Sequence, residues 1–344
     1  MNAIAPTRTL TYVSRHELRA FATGTCMAFN FAMLVAGLVL LVFAGDFLVK
    51  GAVGLAERLD IPPLIIGLTI VAFGTSAPEL FVSLSSAFKG VPDIAVGNVV
   101  GSNIANVLLV MGVPALLAAI HADQRGLSRN VAIMLVFTVA FMWMLTDGGL
   151  SRIEGTLLFG GLLVFLVAQI LRARAAMAAE DEEEIPPDYH DEIGEAPHSP
   201  LMIGVFLVGG IIGLPVAANM TVTSASAIAT AFGVSEAVIG LTIVAIGTSL
   251  PELATSFMAA WRKEADVALG NIIGSNIFNI AAIMGITGMV TAIPVNEVIV
   301  QRDMWVMLAT SIVLAVICFG KITTGKLLGG AMLVAYVSYI IFLF

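Results

Sequence analysis

GLTIVAFGTSAPEL, residues 67–80, returns almost unchanged as GLTIVAIGTSLPEL, residues 240–253. At this offset of 173 the match extends over 46 residues, from position 67 to position 112, and 25 of them are identical. Each copy places one glutamate, Glu79 or Glu252, inside an otherwise apolar segment. Because a carboxylate is costly in such a segment, it marks a functional site. Two matching acids in duplicated segments predict a cation site between the two halves of a transporter.

The composition is that of an α-helical membrane protein. Apolar residues make up 59% of the 344 residues and charged residues 12%, and the mean hydropathy is +1.01. Soluble domains carry about 25% charged residues. The apolar runs are long and continuous, without the period-two alternation of a β-barrel strand. Most approach the ~20 residues needed to cross a bilayer. We therefore predict an all-α polytopic membrane protein with ten transmembrane helices, at residues 29–49, 62–88, 92–119, 130–146, 152–171, 201–220, 236–261, 266–293, 304–320 and 325–344.

A polar loop divides the ten predicted helices into two sets of five. The chain then consists of an N-terminal extension (1–28), a first five-helix repeat (29–171), an acidic linker (172–200) and a second five-helix repeat (201–344). An odd number of helices per repeat forces the repeats to insert with opposite topology, related by a two-fold axis in the membrane plane. Such an axis brings the two acids to the same depth. We expect the extension to be loosely ordered and unrelated to transport.

The placement of lysine and arginine predicts the orientation. With the linker in the cytoplasm, the cytoplasmic loops hold ten Lys or Arg residues and the opposite loops hold three, which follows the positive-inside rule. Both termini are then predicted to lie outside. Arg8, Arg15 and Arg19 of the N-terminal extension run against this orientation.

The linker is strongly acidic. Between Glu180 and Glu195 it holds nine acids and no Lys or Arg, and without them the net charge would be +1 instead of −8. A solvated flexible linker is the first interpretation. Weak Ca²⁺ sensing is the second, since Ca²⁺ favours carboxylate clusters.

Proline explains why the acidic segments should be broken. Pro78 and Pro251 lack an N–H and clash with the carbonyl four residues earlier, so helix continuity should fail just before the glutamates, within helices 2 and 7. Backbone carbonyls near Thr75 and Thr248 are then released. Free carbonyls are tolerated at membrane depth where they line a cavity. With two carboxylates they offer six oxygens, which suits Ca²⁺. The alternative is a structural kink with a glutamate that snorkels towards water.

A polar stripe follows in each copy, GNVVGSNIAN at 97–106 and GNIIGSNIFN at 270–279. Asn, Ser and Asn recur at intervals of four and so share one helix face. Ser102, Asn106, Ser275 and Asn279 are the candidates for ion contact. Asn98, Asn103, Asn271 and Asn276 are equally explained as ties between helices. Asp93 and Asp266 lie at helix starts, where we expect them to act as caps.

These motifs resemble those of the cation/Ca²⁺ antiporter superfamily, in particular the sodium/calcium exchanger branch with its two α-repeats. The resemblance covers about residues 30–344, and the GTS-x-PE form is similar to that of the sodium-coupled branch, whereas proton-coupled relatives carry GN-x-x-E. It implies ten helices, four central cation sites, and alternating access by sliding of helices 1 and 6 across the other helices. It also implies the cytoplasmic (inner) membrane of a prokaryote.

The resemblance also implies a role for individual residues. The implied Ca²⁺ ligands are Glu79, Glu252 and the carbonyls of Thr75 and Thr248. The implied Na⁺ ligands are Ala72, Thr75, Ser76, Glu79, Ser102, Ala245, Thr248, Ser249, Glu252 and Ser275. Asn106 and Asn279 match the central polar pair. Many relatives carry Asp at the position of Asn279. Because this chain has Asn there, its centre holds only two carboxylates, which argues against K⁺ co-transport.

The predicted function is secondary antiport of Na⁺ against Ca²⁺, with H⁺-coupled antiport at the same glutamates as the alternative. An intramembrane hydrolase would need an activated nucleophile or histidine ligands, and all four histidines lie in tails or loops. A passive channel is disfavoured by the inverted repeats. We expect no cofactor besides the transported Na⁺ and Ca²⁺, no nucleic-acid partner, and a monomer that functions in the lipid bilayer.

Overall fold

The computed structural model describes residues 15–180, 197, 199–233 and 245–343, although the side chains of residues 15–26, 173–180 and 245 lie outside this description. The described part is a bundle of helices with one two-stranded ribbon. In the first half the helices are α1 (Arg15–Arg58), α2 (Pro63–Thr75), α3 (Ala77–Phe88), α4 (Pro92–Ala115), α5 (Leu127–Met144) and α6 (Arg152–Glu180). In the second half they are α7 (Pro200–Ala231), α8 (Ala245–Thr248), α9 (Leu250–Trp261), α10 (Ala265–Val290), α11 (Ile299–Phe319) and α12 (Lys326–Leu343). The ribbon pairs β1 (Gly149–Leu150) with β2 (Ile293–Pro294) in antiparallel register.

The helices are long and apolar enough to cross a membrane. Eight of those in the described part pass this test, and α2 with α3 makes a ninth if the two are one bent span. The predicted helix at 236–261 begins outside the described residues, which resume at Ala245. The count of ten and the inverted arrangement of the repeats therefore stay predictions.

Two predicted boundaries differ from the structure. The first helix begins at Arg15 and not at residue 29, so the second half of the predicted N-terminal extension is helical. α6 continues to Glu180 and takes up the first nine residues of the predicted linker. Both stretches lack proline, and the second is rich in alanine, the strongest helix former, so the helices continue past their apolar spans.

The interruption predicted at the prolines is present in both copies. In the first copy, α2 and α3 are bent by 45° with Ser76 between them. The Ser76 amide donates to the Ala72 carbonyl at 3.0 Å, and the next backbone bond runs from the Leu80 amide to the Ser76 carbonyl at 3.2 Å. Pro78 contributes no donor. In the second copy, Ser249 separates α8 from α9 in the same way.

The two longest helices, α1 and α7, pack against each other through glycines. A Cβ added at Gly210 would lie 2.6 Å from the Cβ of Leu48, and one added at Gly51 would lie 2.8 Å from the backbone nitrogen of Leu207. Small residues at these positions let the two backbones approach closely. The two helices are therefore in close contact along their length, and their sliding across the other helices stays a prediction.

Helix α1 is tied to the end of α9 by charge. Asp46 of α1 accepts hydrogen bonds from Arg262 and lies 3.0 Å from the ammonium of Lys50. Glu264 follows in the loop before α10. Burial raises the pKa of Glu264 to about 7, and the nearby carboxylates of Asp266 and Glu57 add to the shift, although Arg262 opposes it. The folded protein therefore holds a proton on Glu264 that the unfolded chain releases near its ordinary pKa of 4.5.

The raised pKa of Glu264 predicts that the stability of the folded protein depends on pH. Because the folded state binds the proton more tightly, the stability contributed by Glu264 falls as the pH rises from about 4.5 to about 7. We expect Glu264→Gln to have a higher Tm than wild type at pH 8 and a difference that narrows towards pH 5, measured in detergent. The matched control is Glu297→Gln, which changes an exposed glutamate just before α11. A Tm difference that is the same at both pH values would contradict the assignment.

Candidate cation-binding site

The two glutamates lie at the centre of the protein, in the first turns of α3 and α9. Glu79 and Glu252 are each 1% exposed. They are close enough to repel each other electrostatically. Their position in a first helical turn is favourable, since the N-terminal end of the helix dipole attracts negative charge. The structure therefore brings together the two acids that the sequence places 173 residues apart.

Hydroxyl groups from both copies surround Glu252. Its Oε1 accepts from Ser76 Oγ of the first copy at 3.1 Å and from Ser275 Oγ of the second copy at 3.5 Å. Thr75 Oγ1 lies 3.4 Å from Ser275 Oγ and donates to Asn271 Oδ1 at 3.1 Å. The interrupted segment of one copy thus contacts the acid and the polar stripe of the other.

Several buried oxygens at this centre lack a hydrogen-bond partner in the described part of the chain. They are Glu79 Oε1 and Oε2, Glu252 Oε2, Ser249 Oγ, Asn106 Oδ1 and Asn279 Oδ1. Buried polar atoms without partners are unusual and call for an explanation. All six are oxygens, which are the ligands that hard cations such as Ca²⁺ prefer. The donor set therefore fits a dehydrated cation that carries positive charge to two carboxylates.

The polar stripes are held in equivalent ways. Asn98 Nδ2 donates to Ser83 Oγ at 3.1 Å and to the Glu79 carbonyl at 3.4 Å. In the second copy Asn271 donates to the equivalent serine and to the Glu252 carbonyl at the same two distances. These two asparagines fix the helix turn that carries each glutamate. Ser83 and its equivalent Ser256 were not among the predicted site residues, although they match at the offset of 173.

The central asparagines begin a distortion of their helices. Asn106 and Asn279 are the first residues of π-helical turns, at Asn106–Val110 in α4 and Asn279–Met284 in α10. Such turns are rare and are frequent at functional sites. Both asparagines are at most 1% exposed. The turn that begins at Asn106 packs against the helix of Glu252, and the turn that begins at Asn279 packs against the helix of Glu79. The role of the two asparagines as a central polar pair stays a prediction.

The remaining predicted ligands divide by burial. Ala72, Thr75, Ser76, Ser102, Ser249 and Ser275 are all buried. Thr248 is half-buried and makes interactions of its own, and the side chain of Ala245 lies outside the described residues. A coordination role for each of these residues stays a prediction.

The expectation that Asp93 caps its own helix is wrong. The helix that begins at Pro92 has no side-chain cap, and Asp93 Oδ1 instead accepts from the backbone amide of Asn296 at 3.1 Å. The equivalent Asp266 also leaves its helix without a side-chain cap and lies near the side chain of Gln124. Both carboxylates lie in the first turn of their helices, where the helix dipole favours negative charge. Their side chains interact with residues of distant loops.

Glycines let α2 and α10 cross with their backbones almost in contact. A Cβ at Gly270 would lie 3.0 Å from the Cα of Gly67, and one at Gly274 would lie 2.6 Å from the Cβ of Ala72 and 2.8 Å from the Leu68 carbonyl. This approach brings the interrupted segment of the first copy onto the polar stripe of the second. The equivalent crossing would involve residues 240–244, which lie outside the described part.

The chain is similar to known proteins over most of its length. The family model of the sodium/calcium exchanger protein matches residues 29–171 and 202–344. The putative antiporter CaxA of Alkalimonas amylolytica is 40% identical over 319 residues, which cover 90% of this chain and 97% of that protein. The sodium/calcium exchanger MaX1 of Methanosarcina acetivorans is 33% identical and covers 92% of this chain and 98% of its own length. Among solved structures, the sodium-calcium exchanger NCX_Mj aligns with a TM-score of 0.78 at 30% identity, over 92% of this chain and 100% of that chain.

The close crossing predicts that Gly274 cannot accept even one additional methyl group. We expect Gly274→Ala to push α2 away from α10 and to lower the Tm by several degrees, because the atoms in contact include backbone. Gly330→Ala in α12 is the matched control, since a Cβ there meets nothing within 4 Å, and alanine favours the helix by about 1 kcal/mol. Equal Tm values for the two variants would contradict the crossing.

Proposed function

Because the chain belongs to the sodium/calcium exchanger family, we propose that it exchanges Na⁺ for Ca²⁺ by alternating access at the site between its two sequence copies. The family consists of transporters, and no covalent chemistry is required of the site. The single observation that supports this proposal is the set of buried, unpartnered oxygens around Glu79 and Glu252. A cation supplies the missing partner for these oxygens and offsets the charge of two acids.

The proposed Ca²⁺ ligands are Glu79 and Glu252 with the backbone carbonyls of Thr75 and Thr248. Ca²⁺ takes about 6–8 oxygens and tolerates irregular geometry. Two carboxylates neutralise one such ion, which reduces the electrostatic penalty of placing charge at membrane depth. Mg²⁺ fits this site less well, because it retains its water molecules and demands octahedral geometry.

The proposed Na⁺ ligands reuse the same segments and add hydroxyl and carbonyl oxygens. They are Ala72, Thr75, Ser76, Glu79, Ser102, Ala245, Thr248, Ser249, Glu252 and Ser275. In the structure, Ser76 and Ser275 already contact one carboxylate oxygen of Glu252. Na⁺ and Ca²⁺ then compete for the glutamates, and the ion that is bound determines which arrangement of the helices is favoured.

We further propose the movement and the setting of this exchange. α1 and α7 slide as a pair across the remaining helices, and the glycine seam between them keeps the pair together. The Asp46–Arg262 contact joins α1 to the end of the helix that carries Glu252, so a sliding movement has to release it. We place the protein in the inner membrane of a prokaryote, with both termini outside, the linker in the cytoplasm, and ten helices in two inverted repeats.

H⁺ coupling is the second candidate function. It is favoured by one observation: both oxygens of Glu79 lack a partner among the described residues, so that a proton could take the place of a cation there. The GTS-x-PE form of both copies favours Na⁺, by resemblance to the sodium-coupled branch. An experiment must separate the two.

The glutamates predict the first test. We expect Glu79→Gln and Glu252→Gln each to reduce ⁴⁵Ca²⁺ uptake into Na⁺-loaded proteoliposomes to the level of empty liposomes, because an amide removes one of the two charges that bind the divalent ion. Glu154→Gln is the matched control, since Glu154 is a half-buried glutamate that contacts Ser151 at a helix start away from the site. Wild-type uptake rates in either site variant would disprove the proposed mechanism.

The coupling ion is tested with the wild-type protein alone. We expect ⁴⁵Ca²⁺ uptake to disappear when internal Na⁺ is replaced by choline at constant pH, and to be insensitive to a protonophore when Na⁺ is present. A proton-coupled antiporter gives the opposite pair of results, with uptake that survives choline and responds to an imposed pH gradient. Either pattern identifies the coupling ion.

A further inference from the structure

We propose that Asn103 and Asn276 are positioning residues that turn the side-chain oxygens of Asn279 and Asn106 towards the transported cation. The inference rests on the proposed function, because it concerns how the ligands of that site are oriented. It assigns a role to two asparagines that the sequence explains equally well as ties between helices. The argument depends on the direction of each hydrogen bond at the centre.

Two equivalent hydrogen bonds cross between the sequence copies. Asn279 Nδ2 donates to Asn103 Oδ1 at 3.1 Å, and Asn106 Nδ2 donates to Asn276 Oδ1 at 3.1 Å. Each bond joins α4 to α10. All four side chains are at most 2% exposed, so water does not compete for them.

The direction of these hydrogen bonds determines whether Asn106 and Asn279 offer an oxygen or an N–H group to a cation. A carboxamide ends in one nitrogen and one oxygen, and when the nitrogen is used on one side the oxygen must face the other. Asn106 Oδ1 and Asn279 Oδ1 are both buried without a partner among the described residues. A reversed amide would present N–H groups, which repel a cation. The orienting bond is therefore what makes each asparagine a potential ligand.

The orienting asparagines are themselves oriented by sulfur. Asn103 Nδ2 lies 3.7 Å from Met307 Sδ, and Asn276 Nδ2 lies 3.6 Å from Met134 Sδ. A thioether can accept a hydrogen bond but cannot donate one. A reversed Asn103 or Asn276 would place its oxygen against the sulfur with no hydrogen bond. Each methionine thus sets the direction of a series of hydrogen bonds that passes through two side-chain amides and leaves an amide oxygen for the proposed site.

The two series of hydrogen bonds are duplicated together with the glutamates. Met134 and Met307 lie outside the 46-residue repeat, yet they are separated by the same 173 positions as the glutamates. They differ in one respect. Asn103 Nδ2 also lies 3.5 Å from the Asn276 carbonyl, whereas for Asn276 Nδ2 the one acceptor found among the described residues is Met134 Sδ. The two methionines should therefore differ in importance.

The test measures Ca²⁺ affinity and stability separately, by calorimetry on purified protein and by the Tm without added ion. Asn103→Leu and Asn276→Leu remove the acceptor, and we expect Ca²⁺ to bind about tenfold more weakly, the usual effect of losing a group that orients a metal ligand. Asn103→Asp and Asn276→Asp keep an acceptor oxygen and should restore the affinity to within about threefold of wild type. If the two asparagines only tied helices together, the Asn→Asp variants would bind Ca²⁺ more weakly than the Asn→Leu variants, because a buried unpaired acid destabilises the protein more than leucine does.

The methionines supply a second, milder test that keeps the core volume. We expect Met134→Leu to weaken Ca²⁺ binding several-fold and Met307→Leu to change it less than about twofold, because volume-conserving swaps disturb packing little and Asn103 retains its second acceptor. If the leucine variants of the asparagines fail to fold, the aspartate and methionine variants decide.

The outcomes are distinguishable from failure of the proposed function. A wild-type protein that does not bind Ca²⁺ would remove the function and the inference with it. Wild-type binding with unchanged affinity in the Asn→Leu variants would overturn the inference alone. So would an affinity loss that is as large in the Asn→Asp variants as in the Asn→Leu variants, or equal effects of Met134→Leu and Met307→Leu.

Discussion

The structure depends on the electrostatic problem of two carboxylates in a dry interior. Glu79 and Glu252 are buried, near each other, and retain three oxygens without partners in the described part of the chain. Isolated charges in such surroundings are strongly unfavourable. Nearby features respond to this problem: each acid lies at the positive end of a helix, and Ser76 and Ser275 donate to Glu252. The turns that begin at Asn106 and Asn279 pack against the helices of the acids. Among the described residues no lysine or arginine forms an ion pair with either acid, and in the proposed function the transported cation supplies the opposite charge.

The glycine crossings are the means by which this centre is assembled. The interrupted segment at Thr75 reaches Asn271 and Ser275 because α2 and α10 cross with their backbones almost in contact. Gly67, Gly270 and Gly274 allow that contact. The pair α1 and α7 uses the same small-residue packing, and it is also joined to the centre, because a Cβ at Gly45 of α1 would lie 3.0 Å from the Ala254 carbonyl oxygen of α9. Close approach through small residues therefore recurs in both helix pairs, α2 with α10 and α1 with α7.

Much of this arrangement can be predicted from the sequence, because the duplication carries the information. An acid, a proline and a polar stripe that recur at one spacing predict the interruption, the central position of both glutamates, and the burial of Asn106 and Asn279. The direction of the amide hydrogen bonds at the centre could not be predicted from the sequence. Whether Asn103 donates or accepts depends on Met307, which approaches from another helix and has no polar signature of its own. The spacing of 173 between Met134 and Met307 was the available signal, and it lies beyond the recognisable repeat. Helix ends were also missed, because α1 and α6 continue on helix propensity after their apolar spans end.

The hydrogen bonds that join the copies have a consequence for how such a protein can change over generations. Twenty-one of the 46 repeated positions have diverged, yet the asparagines that exchange hydrogen bonds across the centre are identical in the two copies. A substitution at one of them would disturb a partner encoded elsewhere in the gene, so either half constrains the other. Packing contacts between the copies have diverged, since Phe73 lies against Phe278 and their equivalents are Ile246 and Ala105. The constraint that each half places on the other is therefore stricter for directional hydrogen bonds than for apolar packing.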